Sequence, residues 1–104
     1  MSLHVIIRFE PLPGKEAEFR EALLQVNGPS RTESGCVGID VFESIREPFV
    51  FAVHSEWLDE PSFELHSTLP HTQQFLAIAE KLLTHPVHGL RLRAIGGGPG
   101  AGRE

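Results

Sequence analysis

The order of hydrophobic periods along the chain predicts an α+β domain of ferredoxin-like topology, β-α-β-β-α-β, with an antiparallel sheet covered by helices on one face. Apolar residues alternate over 3–10, 35–44 and 49–57, the two-residue period of strands that bury one side. Between the first two of these stretches, and again after Trp57, the spacing changes to three and four residues, the period of helices. Proline and glycine stand at the joins, where a ladder or a helix is interrupted.

The first strand is expected over about 3–10, with Leu3, Val5, Ile7 and Phe9 on one side and His4, Ile6, Arg8 and Glu10 on the other. Pro11 and Pro13-Gly14 stop it, because proline has no amide to donate and glycine frees the turn. A helix follows from Lys15 to Val26. Phe19, Ala22, Leu23 and Val26 form its apolar stripe, and Asn27-Gly28-Pro29 is read as its end. A loop leads to the second strand, 35–44. A turn containing Pro48 then returns the chain along the third, 49–57, which closes on the only tryptophan.

The second helical region comes in two pieces. Asp59 is the expected N-cap, and Pro61 sits in the first turn, which tolerates it. Pro70 breaks the run, with Ser67 or Thr68 expected to cap the next piece. From His71 to Leu83 the stripe is Phe75, Ile78, Ala79, Leu82 and Leu83; a fourth strand then takes 87–95. Residues 1–95 make the domain, and the Gly-rich stretch 96–104 has almost no apolar content and is expected to be a mobile extension.

Composition limits the function classes. A chain of 104 residues holds one domain with a small core. Net charge is −5 with Lys and Arg scattered, so no basic face is offered to nucleic acid or anionic lipid. The single cysteine excludes an internal disulfide and fits a reducing compartment. Neither a secretory signal nor a membrane span is read, so a cytoplasmic location is expected.

The two sheet faces differ. One collects Leu3, Val5, Ile7, Phe9, Phe49, Phe51, Val53 and Trp57, enough to cover two helices. The other mixes Ile6, Phe42, Val50 and Ala52 with His4, Arg8, Asp40, His54, Glu56, Arg91 and Arg93. Such a mixture is explained by a face-to-face homodimer in which opposite charges pair across the sheets, or by a solvated face with stray apolar residues.

His66 carries the sharpest chemical suggestion. It lies three residues after Phe63, on the same helix face, and an imidazole between apolar walls is suited to take a proton from a bound molecule. Its structural alternative is a pin, hydrogen-bonded to a carbonyl at the break before Pro70. His71 is expected at the mouth of the pocket or in solvent. Trp57 offers a flat wall to an aromatic ring and is equally a core residue. Six histidines invite a metal, but His66 and His71 are five apart on different helix faces with Pro70 between them. His4, His54 and His88 approach one another only across strands, with no carboxylate or cysteine to complete a set. No metal or other cofactor is therefore expected. Cys36 beside Gly35 reads as a small buried hydrophobe rather than a nucleophile. The glycines of 96–102 contain no phosphate-loop pattern.

Several short stretches together resemble the antibiotic biosynthesis monooxygenase family, a branch of the dimeric α+β barrel proteins. They are Pro13-Gly14-Lys15 before the first helix, Glu33, Gly35 and Cys36 at the second strand, and Glu56-Trp57 closing the third. Phe63, His66, His71 and Phe75 on the helices complete them. The resemblance spans roughly 3–95. It implies a face-to-face dimeric barrel and oxidation of a phenolic or quinol-like molecule by dioxygen, without metal or flavin. Of the residue types such oxygenases place around their substrate, only Trp57 has a clear counterpart here. The residues themselves predict a pocket between the sheet and the second helical region, walled by Trp57, Phe63 and Phe75 with Ile39, Phe51 and His71 contributing, in which His66 is expected to assist deprotonation. A non-catalytic barrel that binds a small aromatic molecule is the other reading. There are departures: the chain has no tyrosine, and Ile39 stands where related sequences place one. The haem-degrading branch of the superfamily is disfavoured, since the first strand has no Asn and Leu76 lies where a histidine is needed.

Overall fold

The computed structural model describes residues 2–102, and its elements are β1 (Leu3–Phe9), α1 (Glu16–Arg31), β2 (Cys36–Glu43), β3 (Phe51–Trp57), α2 (Glu60–Thr68), α3 (Pro70–Leu82) and β4 (Gly89–Leu92). The strands form one antiparallel sheet in the order β2-β3-β1-β4, so the fold is the expected α+β ferredoxin-like sheet with the second helix broken at Pro70. Residues 96–102 are exposed and carry no helix or strand; the expected mobile extension also includes Arg103 and Glu104, which lie outside the described residues.

The core lies between α1, α3 and one sheet face. Phe19 is at its centre, with ring centroids 5.1 Å from Phe9, 5.4 Å from Phe51 and 6.0 Å from Phe75. Leu23, Ala79, Leu82 and Leu83 close around these rings. Tilted and edge-on aromatic contacts of this kind add to area burial, and truncating such a ring typically costs about 3–5 kcal/mol.

Four expectations about element ends and apolar stripes need correction. Helix α1 does not end at Asn27-Gly28-Pro29 but runs through Pro29 to Arg31. Proline removes one amide donor and crowds the carbonyl four residues back. Here it stands two residues from the helix end, and burying Ser30 favours continuation. Helix α3 is not capped by Ser67 or Thr68. Its N-cap is Leu69, without a side-chain bond, while both hydroxyls donate backward to carbonyls of α2. Ile78 is exposed, and Leu76 packs on the core instead. Phe49 is also exposed, because β3 begins only at Phe51.

Strand register settles the faces. Val5 stands opposite Arg91, so Arg91 projects from the helix-covered side, not from the open face where its sequence position suggested. Its guanidinium reaches Glu60 (2.8 Å) and Glu64 on α2 and lies 5.1 Å from the Phe63 ring centroid. The open face receives Leu90 and Leu92 instead, across from Ile6 and His4. Arg93 lies beyond the end of β4. Asp59 caps α2, accepting from the amide (2.9 Å) and hydroxyl (2.6 Å) of Ser62, as its sequence position suggests.

Candidate functional site

Beneath the helices the sheet leaves a cavity of about 80 Å³. Trp57, Phe63 and Phe75 wall it, Ile39 and Val41 reach it from β2, and Asn27, Ser30, Ser55, Thr72 and His66 supply its polar atoms. The structure thus brings together Ile39, Trp57, Phe63, His66 and Phe75 from the candidates named in the sequence. Phe51 and His71 do not line the cavity. Phe51 packs on Phe19 in the core, and His71 stands on the far side of Glu33, an acidic residue to which the sequence assigned no chemical role.

Glu33 precedes β2 and turns its carboxylate toward the break between α2 and α3. Its Oε2 is 2.8 Å from His66 Nδ1 and 2.7 Å from His71 Nε2. His66, His71 and Glu33 side chains are 16, 26 and 12% exposed, so all three are largely shielded. A carboxylate oxygen accepts, so both ring nitrogens donate, and the tautomers follow. His66 carries its proton on Nδ1 and keeps the Nε2 lone pair free. Neither expectation for these histidines was complete: His66 is pinned by a carboxylate rather than a carbonyl, and His71 is paired rather than solvated. The spacing objection to a shared cluster also fails, because the break at Leu69 puts the two rings on separate helices whose ends converge on Glu33.

Aromatic packing orients the imidazole further. The His66 ring centroid lies 4.5 Å from that of Trp57 and 5.8 Å from that of Phe63. Trp57 is itself fixed, since its indole N–H donates to Ser55 Oγ at 3.0 Å. Helix α2 can approach this closely because Gly35 has no side chain: a Cβ there would stand 2.5 Å from both Cβ and Oγ of Ser62.

Two residues went unseen in the sequence as parts of the site. Asn27 faces the cavity, and its Oδ1 is buried with no hydrogen-bond partner among the described residues. The signal was present, since Phe19, Leu23, Val26, Asn27 and Ser30 continue one helical stripe through the supposed stop. For Glu33 the only local signal was its place three residues before the strand. Cys36 is disfavoured as a nucleophile: burial, and then the nearby Glu33 charge, push its thiol above the ordinary range. His4 and His54 do meet, Nδ1 to Nε2 at 2.8 Å, but on the open face of the sheet, and His88 is exposed.

Fold and site together define a small α+β domain that encloses an aromatic-walled cavity with a carboxylate-held imidazole at its edge. Residues 2–78 match the model of the family described as antibiotic biosynthesis monooxygenase, and the chain belongs to that family. It is 32% identical over 79 residues to YcnE of Bacillus subtilis, named as a candidate monooxygenase, and the match covers 76% of this chain and 83% of that protein. The solved structure of Rv0793 from Mycobacterium tuberculosis superposes with a TM-score of 0.86 and 26% identity, covering 95% of this chain and all of that one. SnoaB of Streptomyces nogalater, described as a cofactor-independent oxygenase and solved as a point mutant, shares the fold at a TM-score of 0.83 and 16% identity, over 95% of this chain and 98% of that one. Among the described residues no helix is long and apolar enough to cross a membrane.

Proposed function

We propose that the protein is a monooxygenase that oxidises a small phenol or hydroquinone with dioxygen and no bound cofactor, using His66 as the base. The observation that carries this reading is the Glu33–His66 hydrogen bond at the edge of the aromatic cavity. It leaves Nε2 free to accept a proton, and the Glu33 carboxylate stabilises the imidazolium that forms. Membership of the family and the likeness to SnoaB, a cofactor-independent oxygenase, support the same chemistry. Asn27 Oδ1 is the acceptor available to a second hydroxyl.

The balance closes without an external reductant. His66 takes a phenolic proton, and the electron-rich anion gives one electron to dioxygen. Superoxide and the ring radical combine at a carbon that carries hydrogen, the imidazolium returns its proton to the peroxide, and that C–H bond then breaks together with the O–O bond, its proton joining the departing hydroxide. One oxygen remains on the ring as a carbonyl and the other leaves as water, the substrate supplying all four electrons. Shielding by α2 keeps the radical pair from water.

We further propose a homodimer through the open sheet face, where Ile6, Phe42, Leu90 and Leu92 are exposed beside Arg8, Asp40 and Glu56. Sedimentation at micromolar concentration should give twice the chain mass; a monomer would leave that face solvated.

The test is oxygen uptake with a panel of hydroquinones and an anthrone. His66→Gln should slow it by about 10²-fold or more while circular dichroism stays unchanged. Glu33→Gln should lower kcat with little effect on KM. Normal turnover in His66→Gln would remove the base from this mechanism. Aromatic binding without oxygen uptake by the wild-type chain would leave the non-catalytic binding barrel as the better reading.

A further inference from the structure

Glu33, His66 and His71 each present a ligand atom within 4.8 Å of those of the other two. His66 Nδ1 and His71 Nε2 converge on the same carboxylate oxygen, at 2.8 and 2.7 Å. First-row ions hold imidazole nitrogen and carboxylate oxygen at about 2.0–2.2 Å, which sets neighbouring ligand atoms roughly 3–3.5 Å apart. Each nitrogen therefore needs to move away from the carboxylate oxygen by only about half an ångström to admit an ion. Each residue comes from a different element, so separation means a slight opening of the α2–α3 joint and no unfolding. The most exposed of the three, His71, marks the entry path.

We propose that Glu33, His66 and His71 form a binding site for a divalent first-row transition ion, held by two imidazoles and one carboxylate at the edge of the cavity, which only His66 of the three lines. This donor set suits zinc, cobalt(II) or iron(II), and it disfavours magnesium and calcium, which require oxygen ligands. Converging N–H donors in the ion-free protein occupy the place of the cation: the carboxylate is already oriented, and both rings already face it.

Occupancy has a consequence for the chemistry, and that part rests on the function proposed above. A metal on His66 Nδ1 uses the lone pair there, so the neutral ring must carry its proton on Nε2. The nitrogen that accepts the substrate proton thereby becomes a donor. Metal and base chemistry at His66 exclude each other, and the loaded protein can bind a phenol but not ionise it. The site is a metal-operated off-switch.

The full chain, stripped with EDTA and desalted, is titrated with zinc(II) by calorimetry and with cobalt(II) by visible absorption. One ion per chain with micromolar or tighter affinity is expected, with cobalt ligand-field bands that zinc abolishes. His71→Gln and Glu33→Gln should each weaken zinc binding by at least about tenfold. His54→Gln, in the histidine pair on the open face, should leave it unchanged. Zinc binding that survives both substitutions, that falls with His54→Gln, or that is no tighter than millimolar overturns the site; circular dichroism on each variant separates lost ligands from lost fold. In the same samples zinc should stop oxygen uptake by the wild type. Uptake that continues at full zinc occupancy refutes the switch and leaves the site standing, whereas a chain inactive on every quinol refutes the proposed function and leaves the binding titration to decide the site.

Discussion

Gly35→Ala should be the most informative structural perturbation, because it tests how α2 is brought to the sheet. The added methyl would lie 2.5 Å from Ser62 Cβ and Oγ and 3.5 Å from Ser62 Cα. Carbon atoms pack at about 3.5–4.0 Å, so α2 must retreat by roughly 1 Å. What resists is the Asp59 cap, the Arg91 ion pairs and the tilted packing of Phe63 and His66 on Trp57. Overpacking of this kind costs about 1–3 kcal/mol, and the smaller entropy of an unfolded alanine returns about 0.4–1 kcal/mol. A net loss of about 1–2 kcal/mol is expected, which lowers Tm by roughly 4–8 °C per kcal/mol for a domain of this size. Lifting α2 also uncovers Trp57, the only tryptophan, so its emission should shift to the red. Ser62→Gly removes both clashing atoms. Alone it should cost about 0.5–1 kcal/mol as a glycine in a helix; with Gly35→Ala it should recover most of the loss, a coupling of about 1–2 kcal/mol in urea denaturation. Wild-type stability and emission in Gly35→Ala would refute the close approach, and so would a loss that Ser62→Gly does not relieve.

Three other outcomes follow from the same geometry. Ser55→Ala leaves the buried indole N–H of Trp57 without an acceptor and should cost about 1–3 kcal/mol in chemical denaturation. Alkylation of Cys36 by iodoacetamide should lag behind that of a free thiol at about pH 8 and still be rising above about pH 9; Glu33→Gln should speed it, because the Glu33 charge adds to burial in raising the thiol. The bonds from the Ser62 hydroxyl and amide hold the Asp59 carboxyl below its ordinary range, so the cap stabilises above that range and the benefit is lost as pH falls through the lowered value. The stability gap between wild type and Asp59→Asn should accordingly narrow on acidification, as read by thermal melts.

Local chemistry determined most of the fold. Alternation assigns the first three strands, the Phe19–Leu23–Val26 spacing assigns α1, and Asp59 with Pro61 places the start of α2, because each signal involves residues within a few positions of one another. Where local rules erred, tertiary packing outweighed them. Burial of Ser30 carried α1 past Pro29, and the pairing of Val5 with Arg91 turned that arginine toward α2. The cavity walls were legible because Trp57, Phe63, His66 and Phe75 fall on predicted inward faces. The chemistry of the site was not. Glu33 is 33 positions from His66 and 38 from His71, and no periodic pattern relates residues at those separations. They meet because β2 pairs with β3, the missing side chain at Gly35 lets α2 lie against the start of β2, and the chain breaks at Leu69. Periodicity reports which way a residue faces on its own element; which partner waits there is decided by how the elements pack.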